Sequence, residues 1–190
     1  MQYSTEPFRE KSPLILERLR NYPNSVEDSC GNLGVYATVP ELGNLDVCPR
    51  IAMIRTIQFE LQTRGHCDVK DVTPALQAEL SKSGMHEGHA IIFVAGSTAG
   101  VTTVEFEPRL VKDLNEFFQK IIPEGPDYHH HATWGDDNGS SHVRAALLKP
   151  SLTIPFKDGR LLLGTWQQVV VIDFDTRPRR RDVIFQLNGE

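Results

Sequence analysis

A chain of 190 residues, 39% hydrophobic and 24% charged, carries enough apolar material for one packed domain and a tail, which excludes the disordered and fibrous classes. Its 20 Lys and Arg stand against 25 Asp and Glu, a formal charge of -5, so no overall basic field draws nucleic acid or an anionic membrane. No apolar stretch approaches the roughly 18–20 residues that cross a bilayer, the segment MQYSTEPFREKSP lacks the apolar core of a secretory signal, and Cys30, Cys48 and Cys67 form no CxxC pair. The expectation is a cytoplasmic protein without nucleic-acid or membrane partners.

Residues 1–52 read as a poorly structured extension, with one helical candidate at residues 13–19 and irregular chain punctuated by Gly31, Gly34, Pro40, Gly43 and Pro49. The domain proper is read as residues 53–190, with Met53 the physiological initiator or the extension a loosely attached appendage. There, Ile57, Phe59 and Leu61 alternate with polar neighbours as a half-buried strand requires. Thr73 and Pro74 supply an N-cap and a first-turn proline for a short helix that sets Leu76 and Leu80 on one face. Two apolar strands, residues 89–95 and 101–104, flank the small-residue corner Gly96-Ser97-Thr98-Ala99-Gly100.

The best helix runs beyond Pro108, where Leu110, Val111, Leu114, Phe117, Phe118, Ile121 and Ile122 recur at helical spacing until Pro123-Glu124-Gly125 stops them. Alternation returns at residues 151–156, 160–166, 167–174 and 183–187, with short connections, as in an antiparallel meander. Trp166 is assigned to the core of these strands, and the run Arg177-Pro178-Arg179-Arg180-Arg181 to a solvated turn. The class is α+β: a single domain with a mainly antiparallel β-sheet sandwich and a few helices.

Chemistry concentrates between the best helix and the closing strands. Asp127, Tyr128, His129, His130, His131, Asp136, Asp137, Asn138, Ser141 and His142 lie there, on a segment too long and polar for a mere connection. Imidazoles and carboxylates in one pocket bind a divalent cation, protonate a leaving group or hold a phosphate; a solvated polar loop explains the same residues. Successive residues of an extended segment face opposite sides, so the His129-His130-His131 triplet cannot all point inward. The corner at Ser97 and Thr98 suits close approach of a phosphate, or a tight turn chosen for sterics. Glu107 before Pro108 suits the positive end of the helix, Glu105 is not explained that way, and Arg144 fits a phosphate or a carboxylate equally.

Read together, Gly96-Ser97-Thr98-Ala99-Gly100 through Glu105, Tyr128-His129-His130, Trp134-Gly135-Asp136, Ser141-His142-Val143-Arg144, Pro150-Ser151-Leu152-Thr153-Ile154-Pro155, Leu163-Gly164-Thr165-Trp166-Gln167-Gln168 and Phe174-Asp175-Thr176-Arg177-Pro178-Arg179 resemble, in order, the motifs of the YjbQ-like family, described as secondary thiamine-phosphate synthases. Two departures stand out: the family often carries His at the position of Gly96 and Asn at that of Val104, and many members have a further His where Ser140 stands.

The resemblance implies a homotrimer and a transferase that joins hydroxymethylpyrimidine diphosphate to a thiazole phosphate, releasing diphosphate, as a main or secondary activity. The alternative is a non-catalytic trimer that binds a phosphorylated metabolite or a divalent metal. By the same resemblance His130, His142, Asp136 and Glu105 form the catalytic pocket, Ser97, Thr98 and Arg144 bind phosphate, and His130 and His142 are the ligands of any divalent ion, Mg or Zn.

Overall fold

The computed structural model describes residues 25–27, 33–35, 53–125 and 127–190. The helical candidate at residues 13–19 lies outside them. The chain divides into two units, Met1–Cys48 and Pro49–Glu190. In the first, β1 (Ser25–Glu27) and β2 (Leu33–Val35) pair antiparallel, with Val26 opposite Gly34. Gly34 therefore sits in a short ladder, where the sequence suggests only irregular chain.

The second unit runs β3 (Met53–Thr63), β4 (Asp68–Asp71), α1 (Thr73–Ser83), β5 (Glu87–Ala95), β6 (Ala99–Val104), α2 (Pro108–Ile121), α3 (His131–Trp134), α4 (Gly139–Leu148), β7 (Ser151–Lys157), β8 (Arg160–Leu161), β9 (Gln168–Asp173) and β10 (Arg179–Gly189). Five strands form one sheet in the order β3-β10-β5-β7-β8, and three form another in the order β4-β9-β6. Every ladder is antiparallel. The class is α+β, as the patterning requires. No described helix is long and apolar enough to cross a membrane.

β9 explains the layering. Its alternate residues point to opposite faces: Val169 and Val171 join Ile92, Val94, Val183 and Phe185 in a core between the sheets, which Leu76 and Leu80 of α1 also enter. Val170 and Ile172 face the other way and pack with Phe118 of α2, Ala145 of α4, and Phe174. A strand buried on both faces reads as an unbroken apolar run, here Val169 to Ile172. Removing a methylene from either core is felt at about 1 kcal/mol per group.

Local signals hold in part. Pro108 opens α2, and the Glu107 carboxylate caps it by accepting from the Arg109 and Leu110 N–H groups. Only Phe118 of that helix is fully buried, whereas Phe117 and Ile121 are about half exposed, so its apolar stripe is wider than its core contact. Thr73 is not a side-chain cap: its hydroxyl accepts from Val169 N–H at 2.7 Å, tying α1 to β9, and Asp71 takes the Thr73 N–H. The strand expected over residues 160–166 stops after Leu161, and Trp166 is 69% exposed rather than core. Beyond Leu161 only the Leu162 N–H still reaches β7, at the Pro155 carbonyl, and Gly164 follows, so apolar content alone does not extend the ladder.

The arginine run also departs from a solvated turn. β10 begins at Arg179, and Arg181 is buried, with Nε and Nη2 donating to the two Asp173 oxygens at 2.7 and 2.6 Å. Thr98 Oγ1 accepts from Arg181 Nη2 at 2.6 Å and donates to Asp175 Oδ2 at 2.8 Å, while Thr63 donates to Asp173. A buried charge demands such partners, because an unpaired one costs several kcal/mol, about 3–5 when a partner is deleted. The network pins the corner between β5 and β6 to the start of β10.

Candidate functional site

The site grows from the corner Gly96–Ala99 and from α4. The fold places α4 against β6, so close that a side chain at Gly100 would strike Leu148. Gly139, in the first turn of α4, packs on Tyr128, leaving no room for a Cβ. The backbone of residues 128–134 is thereby held over the first turns of α4. This segment is not extended: His131 N–H donates to Tyr128 O at 3.0 Å and Thr133 N–H to His130 O at 3.0 Å, and α3 follows. Helical turning, not strand alternation, decides where the triplet points. His130 turns toward α4, His131 lies beside Asp137 at 2.5 Å, and His129 is exposed.

His130 and His142 meet as rings, centroids 4.5 Å apart and planes inclined by 61°. Burial chiefly, then the neighbouring His130, holds the His142 imidazole below its usual pKa; Asp136, Asp175 and a hydrogen bond with the Ser97 backbone oppose this without reversing it. At neutral pH His142 is therefore an uncharged ring whose one N–H serves the Ser97 backbone, and its other nitrogen holds a lone pair that can take up a proton when an anion arrives. It lines a depression of about 330 Å³ with Gly96, Ser97, Ala99, Ala145 and Ala146, all small.

Other expected site residues fare differently. Ser97 is exposed at the depression, but Thr98 is buried with its hydroxyl held by Asp175 and Arg181, so it does not face a phosphate. Arg144 is 2% exposed, and its guanidinium donates to the Ile122 carbonyl, Gln119 and Glu124. It braces α4 against the end of α2 rather than reaching a ligand. Glu105 follows the far end of β6 from the corner, on the order of 20 Å away at a rise of about 3.3 Å per residue, and is exposed. Within one chain it does not join the histidines.

A larger cavity of about 450 Å³ opens elsewhere, between the β3–β4 connection and the start of α2. Its polar groups are already engaged: Asp68 by Arg64 and Lys70, Glu107 by the α2 N–H groups, His66 by Glu124. Size favours that cavity, but unspent chemistry favours the histidine site. Among the described residues no group of three or more His, Cys, Asp or Glu side chains is placed to hold a metal ion, so the imidazole pair lacks the third protein ligand that a zinc centre uses.

Two further residues, one from the polar segment and one from a family motif, neither of them expected in the site, matter here. Asn138 and Asp175 are buried, yet Asn138 Oδ1 and Asp175 Oδ1 find no hydrogen-bond partner among the described residues. An unmet buried acceptor costs roughly 1–3 kcal/mol, so each calls for an explanation. Asp175 leaves a signal in the sequence, the second of two carboxylates that flank Phe174 directly after the buried run Val169–Ile172; Asn138 is one of several polar residues in its loop, and nothing in the sequence sets it apart from them.

The fold and the site together define a two-sheet α+β domain with a histidine pair beside a small-residue strand corner. The family model described as "UPF0047 protein YjbQ-like" matches residues 57–190, and the chain belongs to that family. It is 32% identical to a UPF0047 protein of Methanocaldococcus jannaschii over 70% of this chain and 94% of that one. It is 29% identical to the UPF0047 protein YugU of Bacillus subtilis over 72% and 100%. Among solved structures it is similar to a YbjQ-like protein of unknown function from Sulfolobus solfataricus, with a TM-score of 0.69 and 26% identity, covering 74% of this chain and 100% of that one. A YjbQ/UPF0047 family protein from Clostridium acetobutylicum gives 0.63 and 30% identity, covering 69% and 98%.

Proposed function

We propose that the domain is a cytoplasmic transferase of the thiamine-phosphate synthase type, acting on phosphorylated substrates as a homotrimer, with this reaction as its main or a secondary activity. In the reaction the C–O bond between the pyrimidine methylene and diphosphate breaks, the electron pair leaves with the diphosphate, and the thiazole ring nitrogen gives its lone pair to the new C–N bond. The ring becomes a cation and no proton need be removed. The protein's task is to position two substrates, neutralise departing charge and exclude water.

One observation carries this reading: His142 and His130 edge to face at 4.5 Å, beside Ser97 and a wall of glycine and alanine. A His142 ring that takes up a proton beside an anion suits a departing diphosphate, and the small wall lets a flat ring approach the backbone. A trimer is supported by the apolar surface beside the histidines, where Trp134, Val143 and Leu147 are 74%, 44% and 61% exposed. A second copy covering that surface would also be the source of Glu105.

The test is to incubate pure protein, with and without magnesium, with both thiamine precursors and to assay thiamine phosphate by mass spectrometry. Wild type is expected to form product, and His142→Ala to slow it on the order of 100-fold, as loss of a charge-stabilising donor does. Equal rates for the two would reject His142 as a catalytic residue. Binding of the precursors without product would favour the non-catalytic alternative.

A further inference from the structure

A second cleft, of about 190 Å³, lies next to the histidine pair and is lined by Asp136, Asn138, Asp175, Thr176, Arg177 and Arg179. Neither imidazole lines it, yet Asp136 and Asp175 both act on the charge of His142, so the two sites adjoin. We propose that Asp136, Asn138 and Asp175 hold a hard divalent cation of the magnesium type, and that Arg177 and Arg179 take the oxygens of a diphosphate bound to it. The inference deepens the transferase reading and takes the identity of the anion from it; the cation site stands on the cleft alone.

The fold treats the two oxygens of Asp175 unequally. Oδ2 accepts from Thr98 at 2.8 Å and lies 2.9 Å from Arg179 Nε and 3.5 Å from Arg181 Nη2. Among the described residues Oδ1 is left without a partner, and so is Oδ1 of Asn138; both residues are more than nine-tenths buried, at 2% and 6% exposure. Two residues that line one cleft thus each keep an acceptor without a partner, which matches a cation or a donor, and Arg179 Nε on the same cleft is a donor without a well-aligned hydrogen bond, which matches an anion. The acceptors are all oxygen, which favours magnesium over zinc.

Magnesium is commonly held by one or two carboxylates together with substrate phosphates, rather than by an all-protein cage. That habit accounts for a site with two carboxylates and an amide, and for the lack of any group of three His, Cys, Asp or Glu ligands among the described residues. The guanidinium groups of Arg177 and Arg179 on the same cleft would repel a bare cation. They suit a cation that arrives with its own anion, since arginine forks match phosphate oxygens. The metal then belongs to oxygen ligands, and the imidazoles stay free for the leaving group and the ring.

The test uses the full chain and manganese as the probe, reading free Mn²⁺ by electron paramagnetic resonance with and without inorganic diphosphate and no thiamine precursor. Wild type is expected to bind Mn²⁺ at least tenfold more tightly when diphosphate is present. Asp136→Asn, at an exposed position, and Asn138→Leu, checked for folding by circular dichroism, are each expected to lose that gain, whereas His142→Ala keeps it. Retention of the gain by both oxygen variants, an equal loss in His142→Ala, or no effect of diphosphate would overturn the proposal. Mn²⁺–diphosphate binding without thiamine phosphate formation keeps the cleft and rejects the transferase; thiamine phosphate formed at an unchanged rate by Asp136→Asn rejects the cleft and keeps the transferase.

Discussion

His130 and His142 reach one another from different elements, the turn before α3 and the first turn of α4, and their rings meet edge to face at 4.5 Å. The His130 ring therefore bears on the His142 proton. Replacing His130 by Asn removes a neighbouring positive charge, so His142 is expected to titrate closer to its ordinary 6.5; replacing Asp136 by Asn is expected to lower it further. A ring-proton NMR titration reads both directions, and an unmoved His142 in both variants would remove the coupling.

The same shift has a sign in stability. The folded state disfavours protonated His142, so between the folded pKa and about 6.5 the unfolded chain binds more protons. Stability through this group falls as pH drops from 6.5 toward the folded pKa, and is flat above 6.5, where both states are neutral. Urea midpoints from pH 8 to 5 for wild type and His142→Gln are expected to diverge only below about 6.5.

Arg181 and Arg180 are adjacent and opposite in consequence. Arg181→Met leaves Asp173 buried without its bidentate partner and is expected to cost about 3–5 kcal/mol in urea unfolding. Arg180 makes a surface pair with Glu60 at 3.0 Å, and Arg180→Met is expected to change stability by less than about 1 kcal/mol. Equal costs would mean that the network around Asp173 does not hold the corner.

Burial pushes the Cys67 thiol up to about 12, with nearby Arg144 opposing and Glu124 and Asp68 adding to the effect. Thiolate is the reactive form, so at pH 8 iodoacetamide is expected to modify Cys67 on the order of 100-fold more slowly in the native protein than in urea. Peptide mass spectrometry resolves this cysteine from Cys30 and Cys48. Fast native labelling would show that the segment around Cys67 opens readily.

Val143 and Leu147 lie one turn apart on the outer face of α4, with Trp134 also exposed. If a second copy covers this face, light scattering behind size exclusion is expected to give a trimer for wild type and a monomer for Leu147→Glu, with unchanged circular dichroism. A monomeric wild type would reject the trimer.

The α+β class, α2 with its Glu107 cap, and the small-residue corner after β5 were legible because each depends on neighbours within a few residues: alternation, helical spacing, a proline, a run of small side chains. The closing strands do not form the meander that their alternation suggests, because β9 pairs with β4 and β6 and β10 with β3 and β5, long-range choices that local pattern does not encode. The pairing of His130 with His142 was legible only through a resemblance across many motifs. Composition and spacing supplied the cluster and could not say which ring of the triplet turns inward.

Tertiary structure decided the rest, because a polar side chain's role depends on which partner reaches it first. Thr98 and Arg144 have the chemistry of phosphate ligands, yet packing gives the Thr98 O–H to Asp175 and its oxygen to the Arg181 guanidinium, and the Arg144 donors to Glu124 and the Ile122 carbonyl. Trp166 follows an apolar run, but the ladder ends at Leu161 and leaves it in solvent. Asn138 and Asp175 gain their interest only when burial leaves one oxygen of each without a partner among the described residues, a fact of three-dimensional placement that no local pattern encodes.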